Sequence, residues 1–184
     1  MDINVSIADI FRYYLVWDDK EKNLVEKIKE NDEKSFYEYL VYMNVIRNFK
    51  KNSTRKILQV AKDYTTKNKN NLDIDEFSNL LFKNGLLAGQ NKNAIVAASK
   101  ILWIFDNKII LFDSRAKKSL KEISGNNVSE YKDYCTDWEE QYKSFKSKYC
   151  KQVEENKIEK FSNLFLKDWF IRRTFDNYLW IKQG

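Results

Sequence analysis

Apolar residues recur every three to four positions along most of the chain, the spacing that gathers them on one face of an α-helix. This pattern predicts helices over residues 6–17 and 21–30, and a third that begins at Asp32 or Ser35 and runs to about residue 49. Asp and Ser are preferred helix N-caps, which supports these starting points. The first quarter of the chain is therefore predicted to be helical.

Residues that commonly start or stop helices mark the next elements. Ser53 or Thr54 can begin a helix, and the polar stretch 65–71 predicts an exposed loop after it. Asp73 can cap a further helix, for which Gly85 is a suitable stop because glycine accepts the left-handed conformation found at helix ends. These signals predict two helices separated by a polar loop.

Residues 94–105 are the most apolar segment of the chain. They are aliphatic, aromatic or Ala, except for Ser99 and Lys100. A helix with so little polar surface must be covered on nearly all sides. The pattern therefore predicts that this helix is the buried centre of the fold.

The second half of the chain continues the helical pattern after one interruption. The apolar run 109–112 predicts a short β-like segment, and Asp113 then predicts the N-cap of a helix over 114–123. Longer amphipathic patterns follow over 129–152 and 158–181. No internal repeat and no second domain boundary is visible. We therefore expect an all-α protein, a bundle-like single domain over all 184 residues.

Composition limits the chemistry that such a fold can carry. The chain has 43% hydrophobic residues, a formal net charge of +6, no His, no Pro and four Gly. Without His, a Ser-His-Asp triad, a Cys-His pair and His-based metal sites are excluded, and four scattered Gly cannot build a glycine-rich phosphate loop. We predict no metal and no cofactor. We also expect a cytoplasmic protein without a membrane span.

The segment from Gly89 to Leu120 resembles the core of helix-hairpin-helix DNA glycosylases, in particular the 8-oxoguanine glycosylase branch. Lys92 opens an apolar helix, as the family's lysine does, and Leu111-Phe112-Asp113 stands where the family has a hydrophobic-hydrophobic-Asp element. The resemblance implies a helix-hairpin-helix element and a DNA N-glycosylase or lyase that acts on damaged or modified bases, in repair or phage defence. It implies catalytic roles for Asp113 and Lys92.

Two short motifs resemble uncharacterised bacterial proteins and assign no activity. They are Ser-Lys-x-Leu-Trp, which begins at Ser99, and Asp-Ser-Arg-Ala, which begins at Asp113. Lys100 lies within the first motif, on a helix predicted to be buried. A buried lysine either pairs with a carboxylate, extends its amine to solvent, or has a function. Lys100 is therefore an alternative to Lys92 as the catalytic amine.

Further candidates concern contact with nucleic acid. Basic residues follow Asp113 closely and could contact phosphates: Arg115, Lys117, Lys118 and Lys121. Three tryptophans could stack on an extruded base: Trp103, Trp138 and Trp180. A solvated basic helix face and core aromatics are the plainer explanations of the same residues.

Three hypotheses for function follow. The first is a DNA glycosylase or lyase, favoured by the Lys and Asp positions. The second is a helical module that recognises DNA or a protein partner without chemistry, favoured by the shortage of glycine in the hairpin region. The third is a helical regulator or toxin-like protein without a nucleic-acid role. The surroundings of Asp113 distinguish the first from the second.

Overall fold

The structure, a computed structural model, describes residues 3–69, 71–89 and 94–182. In these residues it is all-α, and the one β feature is an isolated bridge between Phe49 and Leu87. None of the helices in the described ranges has the length and apolar character needed to span a bilayer. The α-helices are α1 (Ile7–Val16), α2 (Lys22–Lys29), α3 (Glu33–Tyr42), α4 (Thr54–Lys67), α5 (Ile74–Lys83), α6 (Ile95–Phe105), α7 (Ser114–Ser124), α8 (Tyr131–Glu155) and α9 (Asp168–Ile181).

The helices group into two compact units. The terminal unit comprises residues 1–17 and 112–184, and the middle unit comprises residues 18–111. A π-helix, Trp17–Glu21, connects α1 to α2 without a loop. The chain thus enters the middle unit inside a continuous helical stretch, where no linker composition marks the change.

Helix α6 is the core of the middle unit. Nine of its residues are buried, from Ile95 to Ile104, and it packs against α2, α4 and α5. Its first turn lacks a side-chain cap of its own, and the Ser78 hydroxyl instead accepts a hydrogen bond from the Ala94 N–H at 2.8 Å. The prediction of a buried central helix over 94–105 is confirmed for this unit.

Aromatic side chains form the core of the terminal unit. The Trp138 ring stacks on Tyr142 with centroids 5.0 Å apart, and it lies 5.0 Å from the Phe175 ring. The Trp138 Nε1–H donates to Asp176 at 2.9 Å, and the Arg172 guanidinium lies 4.7 Å from the ring centroid. Helices α8 and α9 are therefore joined by both ring packing and a buried polar contact.

Replacing Asp168 with Asn is expected to destabilise the fold at neutral pH and not in acid. Partial burial raises the Asp168 pKa, but hydrogen bonds donated by Lys146 and Tyr142 outweigh it and hold the pKa below its ordinary 3.8. The carboxylate therefore stabilises the fold above about pH 4, and this contribution is lost as pH falls through the folded pKa. Urea unfolding of both proteins at neutral and acidic pH measures it. A difference that persists unchanged in acid would contradict this ionic role.

Four segments differ from their predictions. The stretch 65–71 was predicted to be a loop, but its first three residues continue α4 to Lys67. Residues 109–112 form no strand, since no strand among the described residues offers them a ladder of hydrogen bonds. They are a connector in which Ile110 and Leu111 are buried. The helix predicted from Asp32 to about residue 49 ends at Tyr42, since Asn44 has a positive φ of 54°. The pattern over 158–181 resolves into two short 3-10 segments before α9.

Candidate functional site

Asp113 caps helix α7 as predicted. Its backbone is extended, with φ −140° and ψ 144°, and its side chain accepts a hydrogen bond from the Arg115 N–H at 2.9 Å. This contact satisfies one of the backbone donors left open at a helix start. The helix ends at Gly125, whose φ of 80° lets the chain turn back. The cap and the turn together fix the length and direction of α7.

The turn at Gly125 brings residues 127–129 alongside α7. Val128 is buried and anchors this segment. The Lys117 amine donates to the Ser129 carbonyl oxygen and the Lys121 amine to the Asn127 side-chain oxygen, each at 3.2 Å. Two lysines of α7 therefore hold the segment that faces them.

A recess of about 370 Å³ lies between α7 and this segment, and we call it the lysine recess. Its lining comprises Ser114, Lys117, Lys118, Lys121, Asn127, Val128 and Ser129. Most of these residues are exposed, so the recess is open to solvent. In the described part of the chain, the Lys118 side chain makes no hydrogen bond or ion pair, so its amine can receive a ligand.

The electrostatic character of the lysine recess is uniform. Three of its lining residues carry an ammonium group, its Ser and Asn side chains add neutral hydrogen-bond donors, and no carboxylate is among the lining residues. Such a set of groups attracts anions, and lysine is a common phosphate ligand in proteins.

Trp180 extends the site along α7. The Arg115 guanidinium carbon lies 4.6 Å from the centroid of its ring. The preceding residue, Leu179, is buried, and its carbonyl oxygen accepts a hydrogen bond from the Ser119 hydroxyl at 2.5 Å. This bond fixes the end of α9 beside α7, so that an aromatic ring lies next to the basic face.

The three predicted stacking tryptophans occupy different surroundings. Trp103 lies buried on α6 in the middle unit, and Trp138 lies in the aromatic core of the terminal unit with its N–H bonded to Asp176. Neither ring is open to a base in this conformation. Trp180 is 45% exposed. Of the three, Trp180 has the accessible surface that stacking requires.

The two candidate lysines are placed as follows. Lys100 is 7% exposed, and its amine donates to the Met43 carbonyl oxygen at 3.0 Å, within the middle unit. The Tyr39 hydroxyl in turn donates to the Lys100 carbonyl oxygen at 2.9 Å. These bonds tie α6 to α3 and its C-terminal end. Lys92 lies outside the described residues, and Asp113 belongs to the terminal unit.

The sequence pattern indicated the basic residues of α7, but it did not indicate residues 127–129 on the opposite side of the lysine recess. The sequence pattern gave Asn127 no functional role and placed Ser129 at the start of the amphipathic pattern 129–152. The signal that could have found them is the Gly-Asn-Asn sequence at 125–127, because a helix stop followed by a second helix returns the chain past the first. Ser114 was likewise treated only as the first residue of the helix.

Within residues 3–69, 71–89 and 94–182, no group of three or more Cys, Asp or Glu side chains is arranged to hold a metal ion. Comparisons with family models, curated proteins and solved structures found no match for the chain.

Proposed function

We propose that this chain is a DNA-binding module that contacts the phosphate backbone through the lysine recess. One observation carries the proposal: three lysines and neutral donors line a single surface recess that no carboxylate lines. Phosphate contacts made by lysine supply most of the affinity in sequence-independent DNA binding. Arg115 extends the same basic face by a fourth cation.

The spacing of the lysines supports a backbone ligand. Lys117 and Lys121 are one helical turn apart, as are Lys118 and Lys121, so their side chains leave α7 on neighbouring rows about 5–6 Å apart. On the opposite wall, the Lys117 amine donates to Ser129 and the Lys121 amine donates to Asn127, each at 3.2 Å. A phosphate oxygen that enters the recess can replace these weak neutral acceptors with a charged one.

Binding without chemistry fits the geometry better than the glycosylase hypothesis. A lysine nucleophile must be neutral and must reach the sugar, with a carboxylate close by. The Asp113 carboxylate accepts from the Arg115 N–H at its helix start, and the Lys100 amine donates to the Met43 carbonyl oxygen. The groups that line the lysine recess are three cations and neutral hydrogen-bonding side chains, which suit an anionic ligand.

Reversing the charge of Lys117 and Lys118 together is expected to weaken DNA binding strongly. Each lost phosphate contact should lower the slope of log K against log salt by about 0.9, so the double variant should lose about two units of slope. Fluorescence anisotropy with a labelled DNA duplex, repeated over a series of salt concentrations, measures both affinity and slope. Lys118→Glu alone leaves the Lys117 contact to Ser129 intact and should lose about one unit.

A matched variant separates a local site from general electrostatics. Lys22 and Lys143 are exposed and lie on α2 and α8, and neither is among the residues that line the lysine recess. Replacing both with Glu makes the same change in net charge and should leave the slope within about half a unit of wild type. If this variant weakens binding as much as the Lys117 and Lys118 variant does, the recess is not the site. If wild type binds no DNA at low salt, the proposal fails, and a protein partner becomes the better hypothesis.

A further inference from the structure

Phosphate binding alone does not explain the contact between Arg115 and Trp180. In the terminal unit, Trp138 is buried, and Trp17 and Trp169 are half-buried and pack on each other at 4.8 Å. Trp180 instead exposes 45% of its surface, and Arg115 of α7 lies against its ring. A single exposed aromatic needs no explanation by itself. Its contact with Arg115, one turn from Lys118 of the lysine recess, is what suggests a ligand.

A hydrogen bond between α7 and α9 fixes the position of the Trp180 ring. The Ser119 hydroxyl bonds the Leu179 carbonyl oxygen, directly before Trp180, and so ties the end of α9 to the middle of α7. Arg115 covers the indole at 4.6 Å. One helical turn further along α7, Lys118 lines the recess. The guanidinium and the ammonium are therefore one turn apart on α7, and the Trp180 ring of α9 lies against the guanidinium.

We propose that the site takes an unpaired nucleic-acid strand, with a base stacked on the exposed indole of Trp180 and the backbone phosphates in the lysine recess. The inference rests on the proposed function and narrows its ligand. Every base has a π-face, so an aromatic ring beside a cationic groove binds single strands with little sequence preference. In a duplex the same faces are covered by neighbouring bases, and a base must be unstacked before an aromatic ring can reach its face.

Arg115 has two roles in this arrangement. Its guanidinium lies against the indole in the free protein, where the ring's π-electrons attract the cation. In the proposed complex, its position one turn from Lys118 lets it contact the sugar-phosphate between the stacked base and the lysine recess. Arginine can stack on a ring and bond a phosphate with the same planar group. The pair therefore links the stacking surface to the phosphate site.

The test compares strands that share phosphates and differ in bases. Wild type, Trp180→Ala and Trp180→Phe are titrated with a single-stranded thymine oligonucleotide, an abasic strand of equal length, and the corresponding duplex. Trp180→Ala should weaken binding of the base-bearing strand about 5- to 100-fold, the range for losing one base–aromatic stack. It should leave the abasic strand unchanged. Trp180→Phe keeps a ring and should lie within about threefold of wild type.

Matched DNA and RNA single strands separate the two sources of an unpaired strand, since stacking alone treats them alike. The inference is overturned if wild type prefers the duplex, or if Trp180→Ala weakens the abasic strand as much as the base-bearing one. In either case the lysine variants can still show phosphate binding, and the proposed function stands. If no strand of any kind binds, both proposals fail. Circular dichroism of each variant verifies the fold.

Discussion

Replacing Leu102 with Ala is expected to lower the free energy of unfolding by about 2–5 kcal/mol. Leu102 is 0% exposed and lies on α6, the helix that packs against α2, α4 and α5. The substitution removes apolar surface from the core and leaves a cavity that its neighbours fill only in part. Ile101, equally buried, should behave in the same way. Chemical denaturation followed by far-UV circular dichroism measures the change.

A control in the same unit isolates the effect of burial. Val41 lies on α3 and is 48% exposed. Val41→Ala should change the free energy of unfolding by no more than about 0.5 kcal/mol, as surface substitutions usually do. Similar losses in the Val41 and Leu102 variants would mean that α6 is not the centre of the middle unit.

Replacing Trp138 with Phe is expected to destabilise the terminal unit by about 2–4 kcal/mol, because it combines two losses. The indole N–H that donates to Asp176 disappears, and a buried carboxylate that loses a donor is costly. The smaller ring also leaves space beside Tyr142 and Phe175, which now pack against the indole. Urea unfolding of wild type and variant gives the difference.

Trp169→Phe is the matched control for this substitution. Trp169 is half-buried and packs against Trp17 and Phe170, but the hydrogen bond to Asp176 is made by Trp138. The control should cost about 1 kcal/mol, an average value for a point substitution. Equal losses at the two positions would show that the buried bond to Asp176 contributes nothing measurable.

Local signals in the sequence predicted where helices begin. Asp32, Asp73 and Asp113 were each expected to cap a helix, and each side chain accepts a hydrogen bond from a backbone N–H in the following turn. Gly85 was expected to stop a helix and has a φ of 65° one residue beyond the C-cap of α5. Such signals are reliable because a cap is satisfied by atoms two or three residues away.

Longer-range features were not predicted in this way. The run 109–112 is apolar because Ile110 and Leu111 are buried, and burial in a connector gives the same pattern as burial in a short strand. The passage from the terminal to the middle unit falls inside the π-helix Trp17–Glu21, where neither a loop nor a polar linker exists to be read. Hydrophobic periodicity indicates that a residue is buried, but it does not identify the residues that pack against it.

The same difference between local and long-range features applies to the residues of the candidate site. The basic residues of α7 could be named from the sequence, because a charge cluster on one helix is local. The choice of Trp180 over Trp103 and Trp138 could not, because all three rings lie in helical patterns and only the packing of α9 on α7 leaves one exposed. Likewise, Asn127 and Ser129 reach the recess only through the turn at Gly125.

The sequence by itself determined the helical class, the caps, the apolar faces and the basic face of α7, since each depends on residues within a few turns of one another. The tertiary structure decided which lysine amine donates to a backbone carbonyl and which lines an open recess, as Lys100 and Lys118 illustrate. The physical reason is that solvent access and hydrogen-bond partners arise from contacts between distant segments. A residue's neighbours along the chain leave those contacts undetermined.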